Sequence, residues 1–500
     1  MTRLRVVAFA IFAAALVGPP AVLAGEDPAP APAPAAQEPT ELERLRAEEA
    51  AARERLAKAE EEVRLAAAKA SRARRRAATQ ALVEAEAALE TALDAGDAAA
   101  VAAAEERVSR LAAEVASLTS RVIVRPGAPA PVRVPARPFA PAEGLPPLRP
   151  SEGAPVADGV PRALDWLARH QSPDGRWDAD GYSTRCRGVR CPGDGGSRHD
   201  AGVTGLAALA FLGAGETHQT PAHGEAVRTA LRWLKGEQDA EGCFGPRLSQ
   251  HHVYDHAIAT LAMAEAYGAT QSPVFRGSAE AGVAFILKAQ NPYLGWRYGV
   301  RPGDNDTSVT GWMTLALGSA KASGLVVPDE AFQGALAWFD KVTDPEQGRA
   351  GYTARGNGPA RPMEMIERFP PDRSESPTAV ALVGRLLCGQ APDHEPVRRG
   401  LDLIGRKPPT WDDRGSIDFP YWFFGTQASY RAGGEFWRRW SGALEGAVRD
   451  TQRHDADTCA SGSWDPADAW GLEGGRVYAT AMNAMTLEIH QRYARAIGVR

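Results

Sequence analysis

The sequence predicts an all-α protein in which a long helical stalk precedes a ring of paired helices. Residues 41–123 are rich in the helix formers Ala, Glu, Arg and Leu and contain almost no Gly or Pro. Residues 156–500 repeat a short Gln–Gly–aromatic signature, and each copy lies between two helical patterns. The predicted fold class is therefore an (α/α)6 toroid preceded by a coiled-coil stalk.

The N-terminal residues 1–24 read as a secretory signal segment. Arg3 and Arg5 precede an apolar run that ends in the small-residue pattern Val-Leu-Ala, so we expect cleavage near Ala24. An uncleaved anchor is the alternative, although the run is short for a bilayer span of roughly 20 residues. We therefore predict an exported protein of the periplasm or cell envelope, with no transmembrane segment after cleavage.

Two Pro-rich linkers, residues 25–40 and 124–155, flank the helical region 41–123. Within that region apolar residues alternate steps of three and four, as in a heptad repeat: Val101, Ala104, Val108, Leu111, Val115, Leu118 and Val122. This pattern predicts one long helix or a helical hairpin in a coiled coil, through which the chain forms a homo-oligomer. A solvated single helix that acts as a spacer is the alternative. The net charge of −5 gives no reason to expect a nucleic-acid partner.

The signature of the body is Gln, three residues, Gly, one residue, aromatic. Its copies supply the predicted structural residues Gln171, Gly175, Trp177, Gln238, Gly242, Phe244, Gln290, Gly295, Trp296, Gly462 and Trp464. A more amphipathic helix precedes each copy and a more apolar helix follows it. Six such pairs indicate a closed ring, with the apolar helices inside and the amphipathic helices outside.

The repeated signature between paired helices resembles the squalene cyclase and protein prenyltransferase repeat superfamily, and above all its uncharacterised bacterial members with a single toroid. The resemblance covers nearly all of residues 156–500. It implies an α/α toroid with a central cavity for an apolar or isoprenoid ligand, and it does not fix a reaction.

Three acids precede the apolar parts of inner helices: Asp200, Asp255 and Asp306. When the inner helices are aligned, the three acids occupy the same position, so we expect them at the same level of the ring. Each is explained by a helix N-cap, for which Asp is a favoured residue. A second interpretation places them around a ligand, because the inner helices begin at one mouth of the cavity. The predicted cavity residues are then His199, Asp200, Asp255, His256, Asn305 and Trp312.

The resemblance also implies a candidate catalytic acid. Squalene-type cyclases protonate an alkene with the middle Asp of a D-x-D-D-T-A motif, and the segment GDNDTS at 303–308 resembles it imperfectly. One alignment places Asn305 at the acid, and another keeps Asp306 but replaces the last Asp with Thr307. A carboxylate is missing in both, so Asp306, assisted by Asp304, is the candidate acid and catalysis is left open.

The five cysteines give no clear metal site. Cys186 and Cys191 lie in one Gly-rich loop and are a candidate disulfide in an exported protein. A zinc site needs two more ligands, and no second cysteine pair supplies them. Asp457 and Cys459 have the D-x-C spacing of prenyltransferase zinc ligands, but no histidine is well placed. We therefore predict no metal and no cofactor, and leave zinc open.

Two functions follow from these patterns. The first is a cyclase- or prenyltransferase-like toroid that binds an apolar or isoprenoid ligand, with Asp306 as the acid if it is an enzyme. The second is a non-catalytic envelope protein, whose toroid binds a lipid or peptide and whose stalk mediates assembly.

Overall fold

The computed structural model describes residues 159–455 and 458–489, together with isolated positions between 74 and 114. The described positions between 74 and 114 are helical, and Ala78, Ala85 and Val108 are buried among them. The predicted signal segment and both Pro-rich linkers lie outside the described residues, and the stalk stays a prediction. No helix among the described residues is long and apolar enough to cross a membrane.

The body is helical throughout the part of the chain that the structure describes, where two isolated β-bridges are the only extended pairings. Its α-helices are α1 (Val160–Arg169), α2 (Asp200–Ala214), α3 (Gly224–Glu237), α4 (His252–Thr270), α5 (Pro273–Ala289), α6 (Thr307–Ala322), α7 (Asp329–Val342), α8 (Ser376–Leu387), α9 (Glu395–Gly405), α10 (Phe419–Ala432), α11 (Gly434–Ala447) and α12 (Gly471–Leu487).

The even-numbered helices form a closed inner ring. Helix α2 contacts α4, α4 contacts α6, and the series continues through α8, α10 and α12, which returns to contact α2. Each odd-numbered helix packs against the inner helix that precedes it around the ring, and α1 packs in this way against α12. The predicted all-α toroid of six helix pairs is therefore confirmed.

The sequence of each helix explains its layer. Helix α2 (DAGVTGLAALAFLGA) is apolar all round and is buried from Ala201 to Gly213. Helix α3 (GEAVRTALRWLKGE) instead buries one stripe that includes Val227, Leu231 and Leu234. A helix with a single apolar stripe can leave its other side in solvent, whereas a helix that is apolar on every side must be enclosed.

The signature glutamine joins consecutive helix pairs. The Nε2 of Gln238 donates to the carbonyl of Gly242 in its own loop (3.0 Å) and to that of Ser278 on α5 (3.0 Å). The same double donation recurs at Gln171, Gln290 and Gln452. Gln452 was not recognised in the sequence, and its second acceptor is the carbonyl of Gly159 at the start of α1. The last copy of the signature thus closes the ring onto the first helix.

The signature tryptophans attach their loops to the preceding helix through hydrogen bonds. Three indole Nε1 groups donate to backbone carbonyls at or just after the end of the preceding helix: Trp177 to Leu167 (2.9 Å), Trp296 to Ile286 (2.8 Å) and Trp464 to Val448 (2.8 Å). Each tryptophan is fully buried. These residues hold helices together and do not line a ligand cavity.

Candidate functional site

A cavity of about 190 Å³ lies at the end of the ring where the inner helices begin. Residues from the first turns of α2, α4, α6 and α8 line it, because these neighbouring helices all start at this end. One to two turns further along the inner helices the lining is apolar: Leu206, Ile258, Trp312, Val380, Phe424 and Met482. The cavity therefore has a polar mouth and an apolar floor.

The mouth carries an imidazole between two carboxylates. His199 directly precedes α2, and its Nδ1 lies 3.2 Å from both carboxylate oxygens of Asp255 on α4. Its Nε2 lies 3.3 Å from Oε2 of Glu473 on α12. A side chain at position 202 would prevent this, since a Cβ on Gly202 would lie 2.3 Å from Oδ1 of Asp255. Glycine thus lets α2 and α4 approach closely enough to form the pair.

Burial and charge shift the pKa values of His199 and Asp255 in opposite directions. Burial raises the pKa of Asp255, and the hydrogen bond from His199 offsets part of that rise. Burial lowers the pKa of His199, but the hydrogen bond and charge of Asp255 and the charge of Glu473 outweigh it, so the net pKa is raised. A proton held between an imidazole and a carboxyl group can be given to, or taken from, a bound molecule.

Three tyrosines and a serine form a hydroxyl network on the neighbouring wall. Tyr254 and Ser308 are joined at 2.6 Å, and Tyr298 and Tyr352 at 2.8 Å. Ser308 donates to Oδ1 of Asp306 (3.0 Å), and Tyr352 donates to its Oδ2 (3.4 Å). All four hydroxyl-bearing residues line the cavity, so they separate the carboxyl of Asp306 from the cavity itself.

Asp306 is a buried N-cap of α6. Its Oδ1 accepts the backbone N–H of Val309 at 2.7 Å, and the residue is fully buried. Burial raises the pKa of Asp306 to about 6, although the N–H of Val309 and the hydroxyl of Ser308 lower it in part. Both sequence interpretations therefore apply in part: Asp306 caps a helix, and it is linked to the cavity through hydroxyl groups.

The companions predicted for Asp306 do not face the cavity. Asp304 is largely exposed and pairs with Arg297 at 2.6 Å. Asn305 is buried, and its Oδ1 accepts from Nδ2 of Asn291 at 3.1 Å within the preceding loop. The expectation that these residues converge with Asp306 on a ligand is wrong, because the chain turns between them to enter α6.

Asp200 and His256 are also placed elsewhere than predicted. Asp200 accepts the N–H of Ala179 at 3.0 Å and lies 3.6 Å from Arg176, on the outer loop side of α2. His256 is fully buried, and its Nδ1 accepts the N–H of Phe244 at 3.1 Å. Neither residue lines the cavity, whereas the predicted His199, Asp255 and Trp312 do.

The predicted common level of the three acids is wrong for Asp255. Thr204 and Thr310 accept the N–H of signature tryptophans, and Asp200 and Asp306 each lie four residues before them. In α4 the equivalent acceptor is His256, and Asp255 directly precedes it. The helix geometry therefore points Asp255 in another direction, towards α2 and His199.

Sequence reasoning missed a second buried charged group at the mouth. Arg361 lines the cavity, and its Nη2 lies 2.6 Å from Oδ2 of Asp418, with both side chains almost fully buried. Asp418 also caps α10 through the N–H of Tyr421. An Asp followed by Phe-Pro could have been recognised as a helix start. Arg361 lies in a loop without a local pattern, so only the fold reveals it.

Asp468 is a further buried acid, close to Asp418. It accepts the hydroxyl of Tyr478 at 2.8 Å and the N–H of Phe419 at 3.2 Å. Burial, followed by the nearby charge of Asp418, raises the pKa of Asp468 to about 7. Tyr478 lines the cavity, and Asp468 lies behind it as Asp306 lies behind Tyr352.

The predicted disulfide between Cys186 and Cys191 is not formed, and both residues are free thiols in the structure. Their sulfur atoms instead face the ring of His170.

A separate group of acids, Asp178 and Asp200, is neutralised in part by Arg176 at 2.9 and 3.6 Å. That acidic group is explained by the ion pairs of its own loop.

Comparison with known protein families gives no matching family model, and no curated protein matches significantly. Similar solved structures include an inactive variant of an α-1,6-mannanase from Salegentibacter sp. in complex with α-1,6-mannotriose, at 10% identity over 67% of this chain and 99% of that chain, with a TM-score of 0.45. A type II terpene cyclase from Scytonema is 14% identical over 68% of this chain and 98% of that chain, with a TM-score of 0.42. A protein from Actinoplanes is 18% identical over 68% and 99%, with a TM-score of 0.40.

These similarities are too distant to assign a family. The class of protein is defined by the closed ring of helix contacts and by the cavity. The chain is an all-α, α/α toroid with an apolar cavity whose mouth carries groups able to exchange protons.

Proposed function

We propose that the toroid binds a small apolar or isoprenoid ligand with a hydrogen-bonding end group, as a distant relative of the terpenoid cyclase and prenyltransferase toroids. The observation that supports this proposal is the division of one cavity into an apolar floor and a polar mouth. Ligand sites in proteins have this composition, with an apolar lining and a few polar groups that fix orientation.

The floor accounts for the apolar part of the ligand. Trp312 stacks on Phe423 with ring centroids 5.7 Å apart, and it meets Phe424 edge-on at 5.1 Å. These contacts hold the indole in one orientation, so it offers a fixed apolar surface. An apolar cavity of about 150 Å³ can bind benzene. The cavity of this toroid, of about 190 Å³, accommodates a short isoprenoid chain or the end of a longer one.

The mouth accounts for the end group. The tyrosine hydroxyls can donate or accept, and the His199–Asp255 pair can do both. Arg361 also lines the cavity, and its Nη2 is held by Asp418. We therefore expect an alcohol or a carboxylic acid to bind more tightly than the corresponding hydrocarbon.

Calorimetry with the full chain tests this proposal, with geraniol and farnesol as probes and a hydrocarbon of matched length as the comparison. We expect saturable binding of the alcohols at one site per chain, and Trp312→Ala should weaken it about tenfold or more, because the aromatic floor is lost. The control is Trp233→Ala, which removes a half-buried indole on the outer helix α3. Absence of binding, or equal affinities for wild type and Trp312→Ala, would contradict the proposal.

Acid–base catalysis is a second candidate function, and the His199–Asp255 pair favours it. The proton donor would then be this pair, because hydroxyl groups separate Asp306 from the cavity. If the protein isomerises or cyclises a bound isoprenoid, Asp255→Asn should abolish turnover while Asp304→Asn leaves it unchanged. Turnover that survives Asp255→Asn, measured by product analysis, would remove the pair from the mechanism.

We also propose that the protein is exported and that residues 41–123 assemble it into oligomers. The support is the signal-like segment before Ala24 and the heptad pattern that precedes the toroid. N-terminal sequencing of the mature chain tests export, and light scattering of the purified full chain tests assembly. An intact Met1, or a monomer at all concentrations, would contradict the respective part.

A further inference from the structure

One histidine and three cysteines meet at a point outside the cavity. His170 directly follows α1, and Cys186 follows a short 3-10 helix at Tyr182–Arg185. Cys191 lies in the same loop as Cys186, and Cys459 lies in the loop of the last signature, before Gly462. The Nε2 of His170 lies 3.5 Å from Sγ of Cys186, 3.7 Å from Sγ of Cys191 and 3.3 Å from Sγ of Cys459. All four ligand atoms lie within 4.8 Å of one another.

These distances match the edges of a zinc tetrahedron. Zinc binds thiolate sulfur at about 2.3 Å and imidazole nitrogen at about 2.0 Å, which places nitrogen and sulfur about 3.5 Å apart at the tetrahedral angle. The three nitrogen–sulfur distances, 3.3, 3.5 and 3.7 Å, are centred on that value. Three sulfurs and one nitrogen are a soft donor set that suits Zn²⁺ and disfavours Mg²⁺ or Ca²⁺.

The histidine is already oriented as a metal ligand. Its Nδ1–H donates to the carbonyl of Trp166 at 2.8 Å, which leaves the lone pair of Nε2 directed at the sulfurs. The ring also stacks on the indole of Trp166, with centroids 4.1 Å apart. A backbone carbonyl that fixes the tautomer is the usual second partner of a metal-bound histidine. The N–H of Cys191 donates to Sγ of Cys186 at 3.2 Å, as suits a thiolate.

The surrounding charge favours the metal-bound form. Three thiolates and one Zn²⁺ carry a net charge of −1. Arg169, Arg185 and Arg476 lie close enough to His170 to act on it electrostatically. Arg476 is itself fixed by a hydrogen bond from Nε to the carbonyl of Pro192, next to Cys191.

We propose that His170, Cys186, Cys191 and Cys459 bind one Zn²⁺ in a closed, structural site. All four positions of the tetrahedron are taken by protein, which leaves none for a substrate. His170 belongs to the first helix pair and Cys459 to the segment before the last inner helix, 289 residues apart. The metal would therefore join the two ends of the ring, where a cross-link closes the longest loop of the toroid. This site is independent of the proposed cavity ligand.

Metal analysis of the full chain, purified without a histidine tag or chelator, tests the proposal. We expect one zinc per chain, and after replacement with Co²⁺ the visible absorption of a tetrahedral thiolate site. His170→Asn and Cys459→Ser should lose most of the metal. The matched controls are Cys243→Ser and Cys388→Ser, whose sulfurs contact the carbonyls of Phe244 and Phe332 and should not affect the zinc content.

Wild-type protein stripped of metal provides a readout that does not depend on the variants folding. Adding Zn²⁺ back should raise its thermal unfolding midpoint and remove three thiols from titration. Full zinc content in Cys459→Ser would overturn the proposal. Wild-type protein that contains no metal as purified would also overturn the proposal. This holds whether thiol titration finds all five cysteines free or finds two of the cluster joined in a disulfide.

Discussion

At the scale of single residues, buried carboxyl groups around the mouth differ in role although they share a residue type. Asp306 caps α6 and binds two hydroxyls, whereas Asp255 pairs with an imidazole and lines the cavity. Asp304, two residues from Asp306, lies largely in solvent. The surroundings of each carboxyl, rather than its place in a motif, decide what it does.

Replacement of Asp306 by alanine should destabilise the protein by about 1 to 3 kcal/mol, because the cap is lost and the hydroxyl of Ser308 loses its acceptor. The control is Asp304→Ala, which removes an exposed ion pair and should change stability by less than about 1 kcal/mol. Urea unfolding of both variants measures this. Equal effects of the two substitutions would show that burial does not distinguish these acids.

Asp306 should also make stability fall as pH rises. Its pKa is about 6 when folded and about 4 when unfolded, so the folded state binds the extra proton between these values. The resulting stabilisation is fully present below about pH 4 and is lost as pH rises through about 6, a change on the order of 3 kcal/mol. In Asp306→Asn this dependence should be absent. Unfolding free energies of both proteins from pH 4 to pH 7 give the difference, which should shrink with rising pH; a constant difference would contradict the assignment.

At the scale of elements, the signature loop depends on a glycine that no other residue can replace. Gly242 has φ of +89°, in the left-handed region, and a Cβ there would lie 2.2 Å from the carbonyl oxygen of Ala281 on α5. The loop can therefore approach the next outer helix only because this position lacks a side chain. The nearby Gly236 lies at the exposed end of α3, where an added Cβ would meet no atom within 4 Å.

These two glycines should respond in opposite directions to alanine. Gly242→Ala should lower the free energy of unfolding by roughly 3 kcal/mol or more, through the clash and the positive φ. Gly236→Ala should leave it unchanged or raise it by up to about 1 kcal/mol, because alanine is the better helix former. Thermal and urea unfolding measure both. A tolerated Gly242→Ala would mean that the signature turn is not needed for helix packing.

At the scale of the whole molecule, the ring has no free end among the described helices. Gln452 donates to the carbonyl of Gly159, just before the first helix, and accepts from Arg162 at 3.0 Å, so its joint has the same form as the internal joint at Gln238. In an open array of repeats a terminal joint supports one neighbour and matters less than an internal one. In a closed ring the two joints are equivalent.

Closure of the ring predicts that Gln452→Ala and Gln238→Ala lower the free energy of unfolding by the same amount, to within about 1 kcal/mol. Each substitution should lower it by about 2 to 4 kcal/mol, because two carbonyls lose their donor. Gln219→Ala, at an exposed loop position, should have little effect. Unfolding free energies and the steepness of each transition measure this. A much smaller loss of unfolding free energy in Gln452→Ala than in Gln238→Ala would indicate an open array.

The fold class, the alternation of inner and outer helices and the signature that joins them all follow from the amino-acid sequence. These features are periodic, and each is repeated along the chain, so the hydrophobic pattern and the Gln–Gly–aromatic spacing reveal them locally. The sequence also predicts His199, Asp255 and Trp312 as cavity residues, because they lie at or near the starts of inner helices, and in the structure these three line the cavity.

Which polar groups meet depends on how distant segments pack against one another. Arg361 with Asp418, Glu473 with His199, and His170 with Cys459 come from distant segments, and no local spacing encodes their contact. The structure also separated Asp306 from the cavity and turned Asp200 outward, since one turn of helix or one loop residue changes where a carboxyl points. Packing around a closed ring brings such groups together, and that is a property of the whole chain rather than of any one motif.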